Sequence, residues 1–163
     1  IRIGSAIWIF EKGGLLIHGA ALVRKEWGYL FTGHSGAGKT TVCRVSKDAL
    51  ILNDDLVVLG LSDFGWEVYA TPFSNPTQNQ PNPGKAYLRA ILKLNQAKEH
   101  RFEEVSTVIA LADLITHIPV LTLRKENMES IMIRCNQILK EAKTYNLYFL
   151  PDDRFWTLMP EIP

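Results

Sequence analysis

The chain has 163 residues, 47% of them hydrophobic and 21% charged, with 18 Lys plus Arg against 17 Asp plus Glu for a formal charge of +1. That length and balance fit one domain over residues 1–163 with a sizeable core, and exclude a disordered tail, a collagen-like fibre and a cysteine-stapled miniprotein. Near-neutrality supplies no bulk drive toward nucleic acid or an anionic membrane, so neither is expected as a partner.

Residues 15–24, LLIHGAALVR, place Leu15, Ile17, Ala21 and Val23 on one face, the period-2 signature of a strand. Lys25-Glu26-Trp27-Gly28 then turns the chain into a second apolar run, Tyr29 to Thr32. A glycine-rich loop follows, and after it a helix-compatible segment, Lys39 to Lys47. Leu50 to Leu52, Leu56 to Leu59 and Trp66 to Ala70 read as three short strands with antiparallel pairing, divided by an Asp pair and by a turn at 62–65. Residues 71–84, TPFSNPTQNQPNPG, form a long loop with almost no apolar anchor. Tyr87 to Leu94 reads as another strand.

The second half turns helical. Val105, Val108, Ile109, Ala112 and Ile115 recur at helical spacing, and Pro119 marks the end of that helix. Met128, Ile131, Met132, Cys135, Ile138, Leu139 and Ala142 make a stricter stripe over 125–143. The charged run 98–104 reads as an exposed lead into the first of these helices. The chain closes with the apolar run 147–150 and a last helical turn carrying Phe155 and Trp156. The predicted fold is therefore α/β, a mainly β core backed by two C-terminal helices. A doubly wound parallel sheet is disfavoured, because strand–helix alternation stops after Asp55.

No segment reads as a bilayer span: the longest apolar stretch, Val108 to Leu123, is interrupted by Asp113, His117 and Pro119. The first ten residues, IRIGSAIWIF, lack the basic-then-apolar layout of a secretory signal. A cytoplasmic protein is expected, with Cys43 and Cys135 as reduced core thiols on predicted helices.

The strongest motif is Gly33-His34-Ser35-Gly36-Ala37-Gly38-Lys39-Thr40, which fits the phosphate-loop pattern of Gly, four residues, then Gly-Lys-Ser/Thr. Its glycines allow backbone angles that let successive N–H groups turn inward as an anion cradle. The helix that starts near Gly38 adds its positive end. Lys39 supplies a point charge for β- and γ-phosphates, and the Thr40 hydroxyl suits a Mg²⁺ shell. Asp54-Asp55 ends the apolar run before it, where an Asp beside a phosphate loop commonly serves Mg²⁺. The bland alternative for the doublet is a solvated turn. His18 shares its strand face with Leu16, Ala20 and Leu22, where a lone histidine is more often a packed residue with one hydrogen bond. Lys85, Arg89 and Lys93 stand at four-residue spacing, either as a basic group for transferred phosphate or as a charged strand edge.

The stretch from Ile17 to Leu59 resembles the catalytic domain of HPr kinase/phosphorylase and its kinase-like relatives, which share a nucleotide-binding core with phosphoenolpyruvate carboxykinase. Three features carry the resemblance in the family's order: His18-Gly19, the loop at 33–40, and Asp54-Asp55 ahead of an apolar strand. Weaker similarity continues at Thr71-Pro72-Phe73, at Ala90 to Leu94 and at Tyr148 to Asp152. The resemblance implies that core fold and an ATP-dependent kinase acting on a hydroxyl, in the bifunctional members a serine of a small protein. It implies that Gly33 to Thr41 cradle ATP, with Thr41 extending the contact beyond the motif, and that Lys39 and Thr40 handle the phosphates and Mg²⁺. It further implies that Asp54 is the general base for the acceptor hydroxyl, that Asp55 stands near the metal, and that His18 sits beside this carboxylate and orients it. The family's further glycine-rich signature, tied to the reverse reaction and to the protein substrate, has no counterpart between residues 95 and 125. The acceptor thus stays open among a peptide, a small protein and a small molecule. Relatives often assemble as oligomers, so a homo-oligomer is compatible with the resemblance and the oligomeric state stays open. The rival reading is a non-catalytic ATP-binding module. The joint presence of Asp54, Asp55 and His18 favours the enzyme, since binding alone needs no base.

Overall fold

Gly19 breaks the first apolar run in two. In the computed structural model, which describes residues 2–73, 80–119 and 125–162, the expected strand 15–24 forms β1 (Leu15–His18) and β2 (Ala20–Arg24). A Cβ at position 19 would stand 2.9 Å from the Phe31 carbonyl oxygen and 3.0 Å from Leu30 Cδ1. Glycine lets the chain pass that close to β3 (Trp27–Thr32) and change partners. β1 pairs antiparallel with β5 (Leu56–Ser62), whereas β2 pairs antiparallel with β3 and with β4 (Leu50–Asn53).

The sheet runs β1-β5-β6-β7-β3-β2-β4, with β6 spanning Gly65–Tyr69 and β7 Lys85–Gln96. β7 is long enough to hold β6 through Lys85 to Tyr87 and β9 (Lys143–Phe149) through Ala90 to Gln96. β8 (Arg101–Glu104) pairs with β9. β1 and β2 are consecutive in the chain but lie far apart along the ladder, so the sheet curls until its two arms meet, and the Gly19 N–H donates to the Asp55 carbonyl across the seam at 3.0 Å.

Two layers of helix cover the two faces. Leu15, Ile17, Ala21, Leu30 and Ile91 pack under α3 (Thr107–Thr116) and α4 (Met128–Glu141), which contribute Leu114, Ile131, Cys135 and Ile138. Ala20, Leu22, Phe31, Leu92 and Phe149 pack under α2 (Lys39–Val45) and the closing turn 153–157, through Val42, Cys43, Phe155 and Trp156. Leu15, Ile17 and Ala21 thus share a face as the alternation predicts, with Val23 packed against the same cluster.

Four expectations need correction. First, β3–β7 and β7–β9 are parallel, and α3 and α4 form the crossover that a parallel β7–β9 pair requires. The sheet is mixed, and helices cover both faces rather than one. Second, Leu50 to Leu52 does not pair with its sequence neighbour; only β5 and β6 form the expected hairpin. Third, the charged run before α3 contains strand β8 rather than being a plain helix lead. Fourth, most of the predicted α3 stripe points outward: Val108 is 79% and Ile109 60% exposed, while Ala110 and Leu114 are buried and only Ile115 of the stripe packs on the core. An N-terminal helix, α1 (Arg2–Glu11), was not expected; it buries Ala6 against Leu16 and Leu56. Arg134 on α4 ties it down by donating to the Phe10 and Gly14 carbonyls. The central part of the long loop, 74–79, and the end of the apolar stretch, 120–123, lie outside the described residues. No helix among the described residues is long and apolar enough to cross a membrane.

Candidate active site

β3 ends at Thr32, and the chain loops from there over the sheet into α2. Gly33, Gly36 and Gly38 take φ values of 147°, 83° and 114°. The constraint is tightest at Gly38, the N-cap of α2, where a Cβ would stand 2.5 Å from Phe149 Cζ. Only glycine meets both the backbone angle and the contact with β9. Ala37 is buried behind the loop and its N–H donates to the His34 carbonyl at 3.1 Å. His34 Nδ1 lies 2.6 Å from the Ser35 carbonyl on the outer side. Lys39 Nζ donates to the Gly33 and His34 carbonyls at 2.7 and 3.1 Å, which holds its ammonium in the mouth of the loop.

The acidic doublet sits at the seam. β4 ends at Asn53, whose side chain organises the connection to β5. Its Oδ1 accepts from the Asp55 and Leu56 N–H groups at 2.8 and 3.1 Å, and its Nδ2 donates to the Thr71 and Phe73 carbonyls at 3.0 and 2.6 Å. This is a side-chain turn that fixes both aspartates. Asp54 is 1% and Asp55 5% exposed, so neither belongs to the solvated turn that the sequence also allowed. His18 closes the arrangement, with Nδ1 3.3 Å from Asp55 Oδ1. Its backbone N–H donates to the His117 carbonyl at 2.8 Å.

Charge in this corner is tightly coupled. Burial, the Lys39 charge and nearby His117 hold the His18 pKa below its ordinary value, against the pull of Asp55. The imidazole is therefore neutral near pH 7 and can donate one N–H to Asp55. Burial also lowers the Lys39 pKa, which Asp55 partly restores. Burial, reinforced by the Asp54 charge, pushes the Cys43 thiol far up, which leaves it an inert core group.

One cleft of about 340 Å³ is lined by His18, Ser35, Gly36, Gly38, Lys39, Thr40, Thr41, Asp54 and Asp55. Gly33, His34 and Ala37 shape the loop behind it. The oxygen donors suit Mg²⁺, which takes one or two carboxylates together with substrate phosphates and water rather than a closed protein cage. Among the described residues no three His, Cys, Asp or Glu side chains form such a cage. The fit is to an open site that a phosphate tail would complete.

No protein-family model and no curated protein matches the chain. Among solved structures it is similar to the Hpr(Ser) kinase/phosphatase from Coxiella burnetii, at 12% identity and a TM-score of 0.39, over 55% of this chain and 72% of that one. The likeness is distant and concerns the fold.

The basic triplet does not reach the cleft as a group. Lys85 pairs with Glu67, and Arg89 lies over the Trp27 ring at the far end of β3. Lys93 pairs with Asp113 of α3 at 2.6 Å. Sequence reasoning missed three supporting residues. Asn53 carried a signal, since Asn before Asp-Asp at a strand end is a turn former. Gln96 carried none; its Nε2 braces the loop by donating to the Gly36 carbonyl at 2.7 Å. Asp113 accepts from Thr32 Oγ1 at 3.4 Å and lies 3.6 Å from His117 Nε2, so it links the loop strand to the helix end behind His18.

Proposed function

We propose that the protein is a Mg²⁺-ATP-dependent kinase that transfers the γ-phosphate to a serine-type hydroxyl on a peptide, small protein or small molecule. The observation that carries this reading is the buried acidic doublet facing the Lys39-bearing loop across one cleft. The resemblance of residues 17–59 to HPr kinases supports it.

The loop N–H groups and Lys39 receive the phosphate tail, with Lys39 exchanging its Gly33 and His34 carbonyl partners for phosphate oxygens. Thr40 and Asp55 would hold Mg²⁺, which when bound neutralises charge on the β- and γ-phosphates. Asp54 takes the acceptor's proton as its oxygen bonds to the γ-phosphorus and the bridge to the β-phosphate breaks, so that ADP leaves. Neutral His18 donates to Asp55 and fixes its orientation. Phosphoryl transfer needs mainly positioning and charge, and a rigid corner of this kind supplies both.

The test is transfer from labelled ATP to serine, homoserine and serine-ending peptides. Lys39→Ala should lose ATP binding, whereas Asp54→Asn should keep binding and lose transfer by about 10²-fold or more. ATP binding that survives Lys39→Ala would remove the loop assignment. An unchanged rate in Asp54→Asn would move the proton acceptor elsewhere. ATP bound with no transfer to any acceptor would leave the non-catalytic module.

A further inference from the structure

A second cleft, of about 650 Å³, opens at the end of β3 remote from the phosphate loop. Trp27 and Thr32 are five strand steps apart, so about 17 Å of sheet separates the two sites. The far cleft gathers three cations, Arg24, Lys25 and Arg89, against one carboxylate, Glu161, in a chain whose net charge is only +1. Among the described residues none of the three forms an ion pair with a carboxylate.

Both guanidiniums lie on aromatic faces instead. Arg24 Cζ is 5.0 Å from the centre of the Trp156 ring, and Arg89 Cζ is 4.3 Å from that of Trp27. A stacked guanidinium keeps its in-plane N–H donors for a planar acid group. Arg89 uses one on the Ile162 carbonyl. Tyr29 lies between the two arginines: burial pushes its phenol pKa up, and the charges of Arg89 and Arg24 oppose that push. Trp27 remains 40% exposed, which leaves ring surface for a flat ligand. Lys25 is held beside the cleft by the β2–β3 turn, in which it and Glu26 take φ of 49° and 70°. Three converging cations that outnumber the single carboxylate repel one another, and a bound anion lowers that cost.

We propose that this cleft is a second ligand site, separate from the phosphate loop, for a small anion carrying a flat ring and of the size of a nucleoside monophosphate. Its acid group would lie among Arg24, Arg89 and Lys25, and its ring against Trp27. The volume falls within the usual span of small-molecule sites, and aromatic stacking beside arginines is the usual way a flat base is held without sequence-like selectivity. This assignment does not depend on the kinase reading.

AMP is the probe, titrated by tryptophan fluorescence and calorimetry into the Lys39→Ala protein, in which the phosphate loop is disabled. Inorganic phosphate and indole-3-acetate are run in parallel. Saturable AMP binding is expected with an affinity within about two-fold of the unmodified protein. Arg89→Gln and Trp27→Leu should each weaken it at least ten-fold, and inorganic phosphate should bind at least ten-fold more weakly than AMP. Indole-3-acetate binding as tightly as AMP would support the same site with an aromatic acid as its ligand. Because Arg89 also anchors Ile162, the more exposed changes Trp27→Leu and Lys25→Gln guard against an unfolding artefact; Lys25→Gln should weaken AMP about three-fold and flatten its salt dependence. The assignment is overturned if neither ring-bearing anion binds at millimolar concentration, if phosphate alone equals AMP, if binding ignores the Trp27 and Lys25 changes, or if Lys39→Ala abolishes it.

Discussion

Asn53 and Thr71, 18 positions apart in the chain, are joined twice: the Asn53 amide donates to the Thr71 carbonyl at 3.0 Å and stands 3.2 Å from its hydroxyl. Thr71 passes the link on, with Oγ1 donating to the Leu56 carbonyl at 2.6 Å. Between these bonds lies the peptide that carries Asp54 and Asp55. Asn53→Ala should destabilise by about 2–4 kcal/mol, because it strands several buried backbone groups. Urea unfolding measures it, and a wild-type midpoint would contradict the role given to Asn53.

Gly38→Ala should cost about 1–3 kcal/mol, from the positive φ and the clash with Phe149, and under the proposed function should weaken ATP binding at least ten-fold. Adding Phe149→Leu relieves the clash but not the backbone strain. The pair should therefore be more stable than the two single costs summed, by about 1 kcal/mol. Simple additivity would show that the ring does not press on this position.

Gln96 touches the loop only at its rim. Gln96→Ala should leave the melting temperature almost unchanged and, under the proposed function, weaken ATP three- to ten-fold, the worth of about one hydrogen bond. A large loss of stability with normal affinity would reassign Gln96 to the fold.

Burial pushes the Asp113 carboxyl up, but hydrogen bonding from His117 and Lys93 outweighs it and holds the pKa below the ordinary value. The native state thus prefers the ionised form. Its contribution is complete above the unfolded-chain pKa of about 4 and is lost as pH falls through the lower native value. Asp113→Asn should lower stability at pH 7 by about 2 kcal/mol and flatten the acid side of the stability profile. An unaltered acid slope would exclude this carboxylate as a source of acid sensitivity.

Both cysteines are buried. Burial raises both thiols, Cys135 to about 12. Iodoacetamide at pH 8 should label neither in the folded protein and both in urea, read by mass spectrometry. Rapid labelling of native Cys43 would mean that α2 opens readily.

Much of the candidate site was legible in the sequence because its motifs are local: residues 33–40 and 54–55 are consecutive runs, and the structure brings members of both to one cleft. The fold was legible where β1 and β2 put Leu15, Ile17 and Ala21 on one face, and along α4, where Ile131, Cys135 and Ile138 of the stripe are buried although Met132 is 37% exposed. It failed where polarity was uninformative. α3 reads VIALADLI, apolar almost all round, and its one acid, Asp113, points inward to Lys93 and Thr32. The stripe therefore had no polar side to orient it. Strand partners were illegible for a different reason. The parallel β3–β7 pairing joins residues about 60 positions apart, and Gly19 looks in sequence like an ordinary member of its strand.

The Gly19 amide has one more use. It donates across the join between the two arms of the curled sheet, to the carbonyl of Asp55 itself. Its deuterium uptake should report how often those arms part, residue-specifically and without any ligand. Nucleotide that clamps the loop against the doublet would slow that single proton's escape, so one resonance could serve as a gauge of closure.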